Sequence, residues 1–364
     1  MKNTLTKALK KFLPEKGFHY SYYYHRKRIG WLLKAYLQNQ AFCCQALKGE
    51  SNYNICINCD LTVSCNCQDF DGSGVIGNLR EQTFQQIFDS EKAKSFRQAL
   101  SRRRFPLRTC PVCAELSAIP KSEITSVLTG YRVPYRGVMV ENTVLCNLRC
   151  NFCNRAELLR IREVKSLSLE DTAIIANVLQ QHEIENLYFF NLGEPFLPAN
   201  VCDQLRLIRA QNPEIRIITS TNGCLLDRDD KLEAALQMDY VNVSLNGVDK
   251  GMVSKYQVGS DFDKAYGNMA KLVQVRNQKG ISQPIIVWKY VLFRWNDHPK
   301  HIMKAVEMAR RIGIDSLAFY PGEAPLIKRS LRHPRHPIFR KVGEYIDGVT
   351  IVNLSGIPRH LLLP

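Results

Sequence analysis

Beyond residue 136 the apolar and polar positions fall into a repeating order. Strand-like runs occur at 137–144, 185–191, 214–219, 240–245, 284–293 and 316–320, and helical spacing fills the intervals, most clearly at 265–276 and 301–312. Such alternation predicts βαβ units on a parallel sheet, an α/β fold. The preceding residues read differently. Residues 1–41 mix basic residues with aromatics, and helical spacing recurs at Leu5, Leu9, Phe12 and Leu13 and again at Leu32, Leu33, Tyr36 and Leu37. Within 42–117, two short strands, Tyr53 to Ile57 and Leu61 to Val63, flank a turn at Asn58-Cys59-Asp60. Helices follow through Phe84, Ile87 and Phe88, and through Ala93, Phe96 and Leu100. Residues 118–135, with Pro120 and Pro134, read as a linker to the core at 136–323, and 324–364 as a basic tail.

A length of 364 residues fits a core domain with an attachment, since single cores stop growing near ~250–300 residues. No apolar run approaches the ~20 residues a membrane span needs, and the start lacks the apolar stretch of a signal peptide, so the expected location is the cytoplasm. Thirteen cysteines in a reducing compartment point to metal or redox chemistry instead of disulfides. The net charge of +16 is uneven: residues 1–40 hold nine Lys or Arg against one acid, Glu15. That surface favours an acidic electron carrier, an anionic substrate, nucleic acid or an anionic membrane face. A basic amphipathic N-terminal arm also allows peripheral membrane contact.

The cysteines carry the sharpest signal. Cys146, Cys150 and Cys153 are spaced C-x3-C-x2-C at the end of the first strand of the regular region. A [4Fe–4S] cluster takes four thiolates, so a local set of three leaves one iron open. With Phe152 just before the last cysteine, this loop resembles the cluster loop of the radical SAM enzymes. The resemblance implies a partial (β/α)6 TIM-type barrel and S-adenosylmethionine chelating the open iron, to be cleaved reductively to a 5′-deoxyadenosyl radical. The later strand ends resemble that family too. Asn191-Leu192-Gly193-Glu194-Pro195 is similar to its G-G-E-P, Thr221-Asn222-Gly223 to its T-N-G and Ser244-Leu245-Asn246-Gly247 to its S-x-D-G. By that resemblance Gly193, Glu194, Asn222 and Ser244 position the cofactor, with Phe152 beside the adenine. Lys255 is the local cation near the place where many relatives carry a carboxylate-binding arginine.

A second cysteine set lies in 42–117. A hairpin ending in cysteine, then Gly77-Asn78-Leu79, a helix and a closing Cys110-Pro111-Val112-Cys113, resembles the SPASM or twitch domains that bind auxiliary iron–sulfur clusters. Here the unit precedes the core instead of following it, forming a small N-terminal cysteine-rich α+β domain. The implied ligands are Cys44, Cys110, Cys113 and one of Cys65 or Cys67, which would share a strand face. A structural zinc site is the competing reading of the same set.

The resemblance implies a radical SAM enzyme, oxidoreductase-like, fed by a flavodoxin or ferredoxin-type donor. Its expected substrate is a sugar, a nucleotide-linked sugar or a ribosomal peptide, oxidised or epimerised. The alternatives are an RNA-modifying enzyme and a non-catalytic metal-binding scaffold.

Overall fold

The computed structural model describes residues 15–322 and 328–358, with side chains from Tyr24 onward. The first stretch of helical spacing, Leu5 to Leu13, lies outside the described residues. Each of the six strands expected in the core is present: β6 (Val138–Val140), β7 (Asn186–Phe189), β8 (Arg216–Thr221), β9 (Tyr240–Ser244), β10 (Ile285–Leu292) and β11 (Ser316–Pro321). They pair in sequence order, all parallel. Helices cross between them, among them Leu169–Gln181, Val201–Gln211, Phe262–Gln278 and Pro299–Ile312.

Alternation along each strand divides the core into two layers. Residues such as Val140, Leu187, Ile217, Val243, Trp288 and Phe319 pack outward beneath the helices, in the main cluster. Met139, Tyr188, Ile218, Val287 and Ala318 point the other way and meet in a second cluster, which also takes in Val349 and Ile351 from the far edge of the sheet. The cluster runs unbroken along that face, and the sheet curls enough to bring Tyr320 of β11 within electrostatic reach of Tyr188 of β7, four strands away. The result is a partial barrel with a lined lumen, and burial on both faces explains the near-continuous apolar runs.

The cysteine-rich unit is built into this barrel. Its hairpin, β2 (Cys56–Ile57) with β3 (Thr62–Ser64), is extended by β4 (Val75–Asn78), and β2 pairs in parallel with β6, Cys56 opposite Met139. The expected linker at 118–135 is not one. Residues Leu116–Pro120 form β5, antiparallel to β1 (Gln40–Cys44), and a helix follows at Ile124–Thr129. Pro120 is tolerated because it ends an edge strand of a two-stranded sheet, where its missing N–H leaves no ladder bond unmade.

The tail is structured as well. Strands β12 (Glu344–Ile346) and β13 (Val349–Asn353) extend the sheet from the β11 edge, antiparallel. Arg332 is ion-paired to the fully buried Asp297, which also accepts from Ser330 Oγ at 2.7 Å, so Arg332 is not part of a solvated loop. At the N-terminus the helix Glu15–Leu37 packs through Trp31, Leu32 and Ala35 beside Phe42, and Trp31 Nε1 donates to Pro111 O at 3.0 Å. Leu33, Tyr36 and Leu37, expected on the packed face, are exposed. No helix among the described residues is long and apolar enough to cross a membrane.

Candidate active site

The three-cysteine loop leaves β6 and is fixed by backbone bonds from two directions. Arg149 N donates to Val258 O at 3.0 Å and Asn151 N to Tyr256 O at 2.8 Å, while Arg155 Nη2 reaches Leu148 O at 3.3 Å. Phe152 adopts φ +68°, a left-handed turn between the second and third cysteines. A non-glycine residue there stores strain, which persists where surrounding contacts over-determine the loop. All three thiols are half-buried. Burial pushes the Cys150 thiol up to about 12, and the neighbouring Cys153 and Cys146 raise it further. Deprotonating such a set needs a cationic metal centre to offset the charge.

The later strand ends wrap this loop. Glu194 N donates to Leu145 O at 2.8 Å, and a Cβ on Gly193 would collide with the Thr143 carbonyl, so only glycine allows this approach. Glu194, expected to position the cofactor, is 2% exposed and turns its carboxylate toward protein groups. It accepts from Thr221 Oγ1 at 2.6 Å, Asn222 N at 2.9 Å and Phe196 N at 3.3 Å, locking the ends of β7 and β8 together. Burial raises its pKa to about 7 despite those donors. Asn222 likewise faces the loop, donating to Asn147 Oδ1 at 2.8 Å. Ser244 Oγ stands 3.3 Å from Ser220 Oγ on the lumen side of the strand ends. Gln257 is buried and stitches the turn, accepting from Asn246 N at 2.9 Å and donating to Ser244 O at 2.7 Å. Lys255 is exposed, and its carbonyl holds Asn151 Nδ2 at 3.0 Å. The Phe152 ring lies parallel to that of Tyr256, and Lys328 Nζ sits 4.8 Å above it.

The second cysteine set divides cleanly. Cys44, Cys65, Cys110 and Cys113 line one pocket with Leu47, Phe96, Leu100, Leu107 and Leu116. Cys67 is not there. The chain leaves β3 at Ser64 and turns at Asn66, whose Oδ1 accepts from Gln68 N at 2.7 Å, so Cys65 and Cys67 do not share a strand face. Cys67 Sγ instead donates to Asn54 Oδ1 at 3.0 Å, and the side chain packs with the lumen cluster. Among the described residues no three Cys, His, Asp or Glu side chains close on one point tightly enough for a single ion. Four thiols flanking a shared pocket suit a cluster several ångströms across better than one zinc ion, whose sulfurs must all lie near 2.3 Å.

One feature of the site had no sequence motif to mark it. Glu141, fully buried at the end of β6, accepts from Arg162 Nε at 2.8 Å and from Asn191 Nδ2 at 3.2 Å. Arg162 also donates to Asn58 Oδ1 at 2.7 Å, in the hairpin turn of the cysteine-rich unit. This buried pair joins both domains at the floor of the three-cysteine loop. A lone acid closing the run Val138-Met139-Val140-Glu141 was the signal available for it.

A partial parallel barrel with a three-thiol loop after its first strand is the setting of a radical SAM domain. Residues 140–287 match the model of the Radical SAM superfamily and residues 43–114 that of an iron–sulfur cluster-binding (SPASM) domain, so the chain carries a radical SAM domain with a SPASM domain ahead of it. A [4Fe–4S] cluster and S-adenosylmethionine are its cofactors, and the SPASM domain implies auxiliary iron–sulfur. The GTP 3′,8-cyclase of Chlorobaculum tepidum is 31% identical over 123 residues, covering 33% of this chain and 35% of that protein. The FeMo cofactor biosynthesis protein NifB of Azotobacter vinelandii is 24% identical over 212 residues, 53% of this chain and 40% of that one. The chain thus spans well under half the length of these curated relatives. A structure of TYW1 with a lysine-pyruvate adduct bound aligns over 58% of this chain and 77% of that one, at 14% identity and a TM-score of 0.41.

Proposed function

We propose that this radical SAM enzyme cleaves S-adenosylmethionine reductively at the Cys146, Cys150 and Cys153 loop and directs the radical onto a small molecule held in the barrel lumen. The observation that carries this reading is the loop itself, three neighbouring thiols on a segment pinned by Asn222, Gly193 and residues 255–258 at the end of the lined lumen. When bound there, the cluster supplies the electron that breaks the carbon–sulfur bond of the cofactor. The chain's own residues do the rest. The Gly193 backbone allows close approach, Ser244 offers a hydroxyl on the lumen side, and the Phe152 ring covers the loop. Glu194 and Asn222 act by positioning, since both are turned toward protein groups. The protein's contribution is orientation and exclusion of water.

Cys44, Cys65, Cys110 and Cys113 would hold an auxiliary cluster, placed to exchange electrons with the substrate. The curated relatives, among them a GTP 3′,8-cyclase, favour an anionic small molecule such as a nucleotide over a ribosomal peptide. The test is anaerobic incubation of reconstituted protein with S-adenosylmethionine and dithionite. 5′-Deoxyadenosine should form, and Cys150→Ala should abolish it. A fully loaded wild-type protein that forms none is a metal-binding scaffold, and the proposal fails.

A further inference from the structure

The lumen holds one charged side chain that the cofactor site leaves unexplained. Lys289 lies on β10 opposite Ser244 of β9 and Ala318 of β11, in register with the lumen-facing Val287. Its Nζ sits 5.0 Å from the centre of the Tyr320 ring. Among the described residues no carboxylate comes within ion-pair distance of it. Burial alone, without a charged neighbour, lowers its pKa, the expected behaviour of an ammonium kept from water and given no counter-charge. Tyr320 stands beside it and brings two further phenols into this part of the lumen. Tyr188 and Tyr53 have ring centres 5.1 Å apart, and the hydroxyl of Tyr320 feels both of theirs. Burial pushes Tyr53 and Tyr320 up to about 12, so both remain protonated donors at neutral pH.

A cation with protonated phenols and no acid is an arrangement that lacks an anion. A charged group left uncompensated in a half-buried lumen is costly unless a ligand supplies the partner. The position narrows what that ligand is. Lys289 stands level with Ser244, at the strand ends that the three-cysteine loop also occupies. Tyr53 and Cys67 come from the auxiliary unit, so the same chamber is walled by both domains.

We infer that Lys289, with Tyr320, Tyr188 and Tyr53, is the substrate-recognition site of this enzyme and takes an oxyanion, a carboxylate or a phosphate, of a small-molecule substrate. The inference rests on the reading that the lumen is the substrate chamber. Lys289 anchors the anion as a point charge, and the phenols donate to its remaining oxygens.

The test uses the reconstituted wild-type protein and mass-spectrometric mapping of trinitrobenzenesulfonate labelling at neutral pH, where an amine of lowered pKa reacts first. Lys289 should label in the presence of saturating S-adenosylmethionine. Millimolar pyrophosphate or malonate, used as separate phosphate and carboxylate probes, should then suppress that labelling about fivefold or more, because a bound oxyanion holds the amine charged. Whichever probe protects identifies the source of the oxyanion. In calorimetry, Lys289→Met should weaken that probe about tenfold or more, and Lys289→Arg should restore most of the loss. Protection by S-adenosylmethionine alone would make Lys289 the cofactor's carboxylate partner and overturn the inference. So would labelling that neither probe changes. Neither result bears on cofactor cleavage, which is measured separately and decides the enzyme reading on its own.

Discussion

At the residue scale, direction decides role. Cys65 and Cys67 are two positions apart, yet one lines the four-thiol pocket and the other bonds to Asn54 at the lumen wall. Cys65→Ser should therefore lower iron by about four atoms per chain, whereas Cys67→Ser should leave the iron count of anaerobically purified protein unchanged. Equal losses would place both thiols at the cluster. The Glu141–Arg162 pair makes a second prediction. Arg162→Met leaves a buried carboxylate unpaired and should cost about 3–5 kcal/mol in urea unfolding. Adding Glu141→Gln should recover much of that, since no buried charge then remains. A double variant no more stable than the single one would mean that Arg162 acts through packing. The motifs themselves were legible in the sequence, but side-chain direction was not. Glu194 and Asn222 sit at the expected strand ends, yet their side chains tie β7, β8 and the cysteine loop together. Proximity in a motif says which groups are near the cofactor and not which way they point.

At the element scale, strands and helices of the core were readable because their apolar spacing is local. Pairing is not local. The β2–β6 junction that fuses the auxiliary hairpin to the barrel, and the β1–β5 pair that absorbs the supposed linker, join residues 72–83 positions apart. Composition around Pro120 resembles a loop because edge strands tolerate proline. The tail shows the same limit, and its docking is testable by pH. His333 packs edge-on against Phe339 and shares a hydrogen bond of 3.0 Å with Thr350 of β13. Burial lowers its pKa to about 4. Unfolded, the imidazole takes up a proton near pH 6.5, so below that pH the undocked tail binds more protons than the docked one. Docking is therefore strongest above about 6.5 and weakens as pH falls toward 4. Protection factors of the amides in 349–353, corrected for the intrinsic pH dependence of exchange, should be lower at pH 5.5 than at 7.5, and His333→Phe should remove the difference. Equal protection at both pH values in the wild type would show that the tail docks independently of His333.

At the scale of the whole molecule, two cysteine sites flank one chamber, and a surface of net charge +16 surrounds them. Electrons must arrive from outside. If an acidic flavodoxin-type carrier delivers them to this surface, opposite charge speeds the encounter. Carrier-supported turnover should then fall as salt rises toward 0.3 M, where exposed charges are screened beyond several ångströms. Turnover with dithionite should change little. Equal sensitivity with both reductants would assign the basic surface to another partner. Arg332 is the wrong residue for probing that surface by charge reversal, because it is paired to buried Asp297 and its loss would unfasten the tail. Arg335, with no such buried partner among the described residues, is the better probe.

The central claim is that three thiols of this chain leave one iron open for S-adenosylmethionine. Electron paramagnetic resonance of the reduced Cys110→Ala/Cys113→Ala protein isolates the cluster of Cys146, Cys150 and Cys153 from any auxiliary signal. Addition of S-adenosylmethionine labelled with 15N at its amino group should shift the g-values of the spectrum and introduce a 15N hyperfine coupling. A fully loaded cluster whose spectrum is unchanged by the cofactor would contradict the account.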